Sequence, residues 1–146
     1  MSTLSIATSG LSAASLRLNV AANNIANQLT TGPLPASNGS GSSSGGTSSS
    51  NTNSNFPPVY TPLQVNQTDQ ASGGTVATVS QVSPSFVVQS DASAPFANQD
   101  GLVAASNVDP ASQFVQLLTA KYSFAANAKV IQAYDNMTKS LLDITA

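Results

Sequence analysis

The 146 residues are 40% hydrophobic and 5% aromatic, enough for one modest core, and the cations Arg17, Lys121, Lys129 and Lys139 give no basic footprint for nucleic acid or anionic lipid. Charged residues make up 7%, against about a quarter in an ordinary soluble domain, and a net charge of −2 does little to keep identical copies apart. Cys, His and Glu are absent and the Asp residues stand singly, so neither catalytic residues, nor a cofactor, nor a metal site is expected.

The first predicted element runs from Thr3 to about Gln28. Leu4, Leu11, Leu18 and Ile25 recur at seven-residue spacing, and Ala7, Ala14 and Ala21 fall three residues after the first three of them. That is an a/d seam with small d residues, which favours close approach of a second helix. Ser2 or Thr3 can cap the start, and Asn27, Gly32 and Pro33 supply stop signals.

From Ser37 to Asn55 the chain contains nothing but Ser, Gly, Asn and Thr, bracketed by Pro33, Pro35, Pro57 and Pro58. Nothing there can form a core, and the tract reads as a tether or an insertion. Strand-like alternation follows between Val59 and about Ser106. Thr75, Ala77 and Val79 alternate with Val76, Thr78 and Ser80, Gly73-Gly74 makes a hairpin turn, and Phe86-Val87-Val88 comes after a proline. Two or three such strands bury too little to stand alone.

The last element opens on Asp109-Pro110, an N-cap followed by proline where its missing N–H costs nothing. No Gly or Pro then interrupts the chain to about Asp143. Leu117, Phe124, Ile131 and Thr138 repeat every seven residues, with Ala120, Asn127, Tyr134 and Leu141 three later. Leu118, Tyr122, Val130 and Met137 widen the apolar surface beyond one seam, so this helix needs more than one partner helix.

These elements predict a mainly α fold with a small β segment. The N- and C-terminal heptad helices would pack as a coiled-coil-like pair, with a flexible linker and a short hairpin between them. The expected division is an N-terminal helix over 1–32, a Ser/Gly/Asn-rich linker or insertion over 33–58, a small β-rich segment over 59–106 and a C-terminal helix over 107–146. No run reaches the ~18 apolar residues of a membrane span, so membrane insertion is not expected. The N-terminus also lacks the basic and continuous apolar regions of a cleaved signal peptide.

Ser9-Gly10-Leu11-Ser12-Ala13, followed by Arg17-Leu18-Asn19-Val20-Ala21-Ala22-Asn23-Asn24-Ile25-Ala26-Asn27 and Thr30-Thr31-Gly32, resembles the N-terminal signature of flagellar axial proteins. Asn107-Val108-Asp109, opening a long helix with Tyr122, Ala126-Asn127 and Val130, is similar to the proximal rod proteins of the FlgC type. Two departures stand out: Ser106 replaces the proline that often precedes Asn-Val-Asp, and Gly101-Leu102-Val103 stands where the family has Gly-Tyr-Val.

The resemblance implies a non-enzymatic structural subunit of the bacterial flagellar basal-body rod. Its terminal helices would pack against copies of itself and other rod proteins to transmit torque for motility. It further implies export through the flagellar type III apparatus without a cleaved signal peptide, and a place in the periplasm-spanning rod. The competing reading is a secreted or phage-tail-like helical adaptor that docks one heterologous partner.

The candidate assembly interface follows the two heptad lines. On the first helix it comprises Leu4, Leu11, Leu18 and Ile25, together with Asn23 and Asn27. On the second it comprises Leu117, Phe124 and Ile131, together with Asn127, Tyr134 and Leu141. Asn23, Asn24 and Asn27 either hydrogen-bond across subunits and fix register, as a buried Asn does in coiled coils, or end the helix and face water. Arg17 either pairs with an Asp of a neighbour or is solvated.

Because the Ser/Gly/Asn tract cannot pack, and shortening a flexible loop changes closure entropy only slowly with length, deletion of residues 40–50 is expected to leave export and motility intact. A swim-plate assay with immunodetection of the exported protein checks this, and loss of motility with normal export would assign the tract a contact.

Overall fold

The computed structural model describes residues 2–35 and 56–145, so the Ser/Gly/Asn tract lies outside the described residues. The elements are α1 (Thr3–Ala26), β1 (Thr31–Gly32), β2 (Leu63–Asp69), β3 (Thr75–Gln81), β4 (Phe86–Ser90), β5 (Leu102–Ser106) and α2 (Pro110–Thr145).

Local chemistry places the helix ends. Ser2 Oγ accepts the N–H of Ser5 at 3.3 Å, and Asn27 closes α1 by donating its own N–H and its Nδ2 to the Asn23 carbonyl. At the start of α2 the Asp109 carboxylate accepts the N–H groups of Ala111 and Ser112, both at 3.2 Å. With 24 and 36 residues the two helices are roughly 36 and 54 Å long at about 1.5 Å per residue.

The helices pack antiparallel. Asn24, near the end of α1, meets Gln113 in the first turn of α2, and Gly10, near its start, lies against Asn127. Because α1 begins at Thr3, α2 has run past its partner by about Tyr134, and its last three turns project beyond the pair.

The β2–β3 hairpin lies along a second side of α1, each of its strands packed on that helix. Cross-strand pairs Leu63–Gln81, Val65–Val79, Gln67–Ala77 and Asp69–Thr75 share one face, half-buried at Leu63, Val65, Ala77 and Thr75, while on the outer face Gln64 and Asn66 both donate to Ser80 Oγ. The remaining strands form a second antiparallel sheet in the order β1-β5-β4, with Thr31 opposite Ala105 and Val88 opposite Ala104. Its central strand carries Val103, Ala104, Ala105 and Ser106, all buried, and with the alanine face of α1 it makes up most of the core.

This corrects the expected fold in two respects. The chain is a mixture of two helices and five antiparallel strands in two sheets, not a mainly α coiled-coil-like pair with a short hairpin. Strand β5 is covered on both faces, so its Leu-Val-Ala-Ala-Ser sequence shows no period of two, and β1 is two residues that read as the exit of a helix. The helices also do not meet on the leucine line. The buried residues of α1 are Ala7, Ala13, Ala14, Val20, Ala21 and Asn24, while Leu11, Leu18 and Ile25 are half-buried on its flank and Leu4 is exposed. A helix gripped from two sides, by α2 and by the hairpin, turns its small residues to the contacts, because only small side chains let the backbones come close.

Candidate assembly surface

The polar centre of the molecule is Asn24, which is 1% exposed. Its Nδ2 donates to the Leu63 carbonyl at 2.7 Å and to Gln113 Oε1 at 3.0 Å. Its Oδ1 accepts the Leu63 N–H at 3.0 Å and the Tyr60 hydroxyl at 2.9 Å. Two donors and two acceptor positions are all an asparagine amide offers, so its capacity is used in full. One side chain thereby ties α1 to the base of the hairpin and to the first turn of α2. Burial pushes the Tyr60 phenol above its ordinary value of 10.0.

A second contact fixes the other end of the helix pair. A Cβ on Gly10 would stand 2.6 Å from Asn127 Nδ2, so a side chain there would collide with the amide that occupies the space. The two contacts are two heptads apart on both helices, from Gly10 to Asn24 and from Gln113 to Asn127. A slip of one heptad toward the middle of α2 would set Asn24 against Ala120, and its amide would lose Gln113.

Outside this frame α2 presents its apolar residues to solvent. One stripe, through Gln113, Leu117, Ala120, Ser123, Asn127 and Ile131, is covered or half-covered. Phe114, Val115, Leu118, Tyr122, Phe124 and Val130 are exposed on other faces, and beyond Ile131 Tyr134, Met137, Leu141 and Ile144 are exposed on the projecting end. Leu4 with Phe124, Ala125, Ala128, Ile131 and Tyr134 lines an open apolar groove, rimmed by Lys129 and Asp135. Met137, Leu141 and Ile144, with Ala133, Asn136 and Ser140, line a shallow facet on the free end of α2. Such an extent of exposed apolar surface marks an interaction surface. Charge does little to oppose contact there: Asp135 and Lys139 neutralise one another at 2.7 Å.

The predicted interface residues therefore fall into three groups. Leu4, Phe124, Ile131 and Tyr134 come together around the groove, and Leu141 stands apart on the projecting end. Leu11, Leu18, Ile25 and Leu117 are half-buried beside the helix contact. The third group is used within the chain: Asn23 Nδ2 bonds the Asn19 carbonyl, Asn27 closes α1, and Asn127 donates to the Ser123 carbonyl while filling the space above Gly10. Sequence reasoning did not assign Asn24, Gln113 and Tyr60 their shared role. The available signal was the position of Asn24 three residues after Ala21, on the small-residue side of α1. Arg17 is half-buried beside a polar cleft that Asp109, Gln113 and Gln116 also line. Among the described residues no three His, Cys, Asp or Glu side chains cluster, and no helix is long and apolar enough to cross a membrane.

Two family models match the chain. Residues 4–33 match that of the flagella basal body rod protein, and residues 99–144 match that of the flagellar basal body rod FlgEFG protein C-terminal region. Between them they take in α1 through β1, and β5 with nearly all of α2. No individual curated protein matches the chain.

Replacing Asn24 by Ala strands the Tyr60 hydroxyl, both backbone groups of Leu63 and Gln113, and is expected to cost about 3 kcal/mol of stability in urea denaturation. Asn23→Ala, which removes a bond within its own helix, should stay within about 0.5 kcal/mol. Tyr60 also makes stability depend on alkaline pH. Its pKa is higher in the folded than in the unfolded chain, so its contribution is fully present below pH 10 and is lost as pH rises through the folded-state value. Denaturation series above pH 9 should therefore fall less steeply for Tyr60→Phe than for the wild type.

Proposed function

The chain belongs to the flagellar basal-body rod protein family, a structural component of the basal body that works among other rod proteins, and from this premise we propose that it assembles with copies of itself through its terminal helices to carry torque along the rod. The observation that carries this reading is α2. A helix of 36 residues with apolar side chains on several faces, and a free end past its only helical partner among the described residues, has more surface to bury than one chain provides. Neighbouring copies supply the missing cover. The heptad-line residues around the groove and on the projecting end, Leu4, Phe124, Ile131, Tyr134 and Leu141, are the proposed contacts. Leu11, Leu18, Ile25 and Leu117 flank them.

In this reading the protein is a mechanical part with no bond chemistry. Torque passes from copy to copy as shear across packed helices, and the frame set by Asn24 and Asn127 keeps each subunit from yielding internally. We further propose export through the flagellar type III apparatus and residence in the periplasm-spanning rod. A proximal position of the FlgC type rests on the shortness of the segment between the helices, since the resemblance gives distal rod and hook members much larger middle domains.

Phe124→Asp and Leu141→Asp test the surface, because both side chains are exposed within the single chain and the substitutions cost it little. Each is expected to abolish incorporation into the rod without preventing export, because a carboxylate would be desolvated at a helix contact in every subunit. Gln64→Asp, on the outer face of the hairpin, should be tolerated. Motility, together with immunodetection in culture medium and purified basal bodies, reads the outcome; normal swimming of both helix variants would remove α2 from the assembly surface.

A further inference from the structure

The tip of the β2–β3 hairpin sits on α1 close to the start of that helix. Gly73 and Gly74 adopt φ of +89° and +87°, and the turn closes through hydrogen bonds from Gly73 N–H to the Gln70 carbonyl and from Gln70 N–H to the Gly74 carbonyl. A Cβ on Gly73 would lie 3.3 Å from Ile6 Cδ1, and one on Gly74 would fall 2.7 Å from Ser9 Oγ. Glycine is needed here both for the left-handed backbone and for the close approach to α1. The hydroxyl beneath the turn is used in both directions: Ser9 Oγ donates to the Ile6 carbonyl at 2.7 Å and accepts the Thr75 N–H at 3.2 Å.

The opposite end of the hairpin is held by Asn24 on Leu63. The two attachment points are matched in length. Along α1, Ser9 to Asn24 spans about 22 Å at about 1.5 Å per residue. Along β2, Leu63 to Asp69, which pairs with Thr75, spans about 20 Å at about 3.4 Å per residue. The hairpin is thus a brace fixed at both ends of one helix. Its tip lies at the same level as the Gly10–Asn127 contact, and Asn127 lines one hollow together with Ser9, Gly10, Gly73 and Gly74.

We propose that the β2–β3 turn is a latch with Ser9 as its catch, clamping the hairpin tip onto the first third of α1, the stretch that carries Leu4 to the wall of the apolar groove. The far end of α1 is secured separately by Asn24, so releasing the latch loosens residues 3–10 and leaves residues 17–26 in place. The use of that groove by another subunit rests on the assembly reading above; the latch itself is a property of the single chain.

The chain has no cysteine, so a single engineered thiol reports local opening without interference. Ala7 and Ala21 are buried to similar degrees at the two ends of α1. Thiol labelling of Ala7→Cys and of Ala21→Cys, each in the otherwise wild-type chain and each combined with Ser9→Ala, measures the two ends independently. Ser9→Ala is expected to raise the labelling rate at position 7 about five- to tenfold, the equivalent of one ordinary hydrogen bond, and to leave position 21 unchanged. Ser12→Ala, on the same helix but away from the turn, should alter neither. An unchanged rate at position 7 would overturn the latch, and so would equal acceleration at both positions, which would mean that Ser9 supports the whole fold and not one end of it. Because the readout is taken on the isolated chain, failure of the rod assignment would leave these rates as expected.

Discussion

The fold depends on a buried asparagine whose hydrogen bonds are all made. An unpaired amide in a dry interior costs free energy that a small core cannot offset, so the arrangement that satisfies Asn24 is selected against those that do not. That arrangement requires the base of the hairpin, Tyr60 and the first turn of α2 to be present together. Apolar packing alone would not choose among registers here, because the faces of α1 that touch its neighbours are mostly alanine and offer similar contacts after a shift. The amide supplies the discrimination that the small side chains lack, and the collision-free space above Gly10 supplies it again two heptads away.

The distribution of size follows from the same constraint. Alanine, glycine and serine line the contacts of α1, where α2 and the hairpin approach closely. The large apolar residues are pushed to its flank and to the outward faces of α2. An ordinary small domain does the opposite, keeping its leucines and aromatics inside. Low charge lets this inversion persist, since few like charges oppose the approach of another copy. A subunit stiffened internally by polar contacts and apolar on the outside suits a part that is completed by its neighbours.

What could be read from the sequence was the local chemistry. Asp109-Pro110 and Ser2 announce helix starts without reference to anything distant, and Gly73-Gly74 announces a turn in the same way. The heptads of Leu4 to Ile25 identify a helix and, in Ala7, Ala14 and Ala21, part of its buried side, but they put the leucines at the contact too, because two partners press on α1 from different directions where a seam has one. Strand β5 was hidden by its own burial: covered on both faces, it has no alternation to display. Ser9, Gly10 and Asn24 were all visible within motifs, yet their roles depend on Thr75, Asn127, Leu63 and Gln113, which lie far along the chain and are placed by the fold. The exposed apolar character of α2, in contrast, was legible directly, since no single seam can accommodate apolar residues on several faces of one helix.

The account stands on the claim that the outer faces of α2 are covered by other copies of the chain in the assembled structure. With no native cysteine, Leu141→Cys in purified basal bodies provides a direct measurement: mild oxidation or a short bifunctional thiol reagent, followed by electrophoresis and immunodetection. The account predicts species of two or more linked chains from assembled material and monomer alone from the exported, unassembled protein. Monomer alone from basal bodies that contain the variant, with the thiol reactive to a small labelling reagent, would mean that the projecting end of α2 faces solvent and would contradict the central claim.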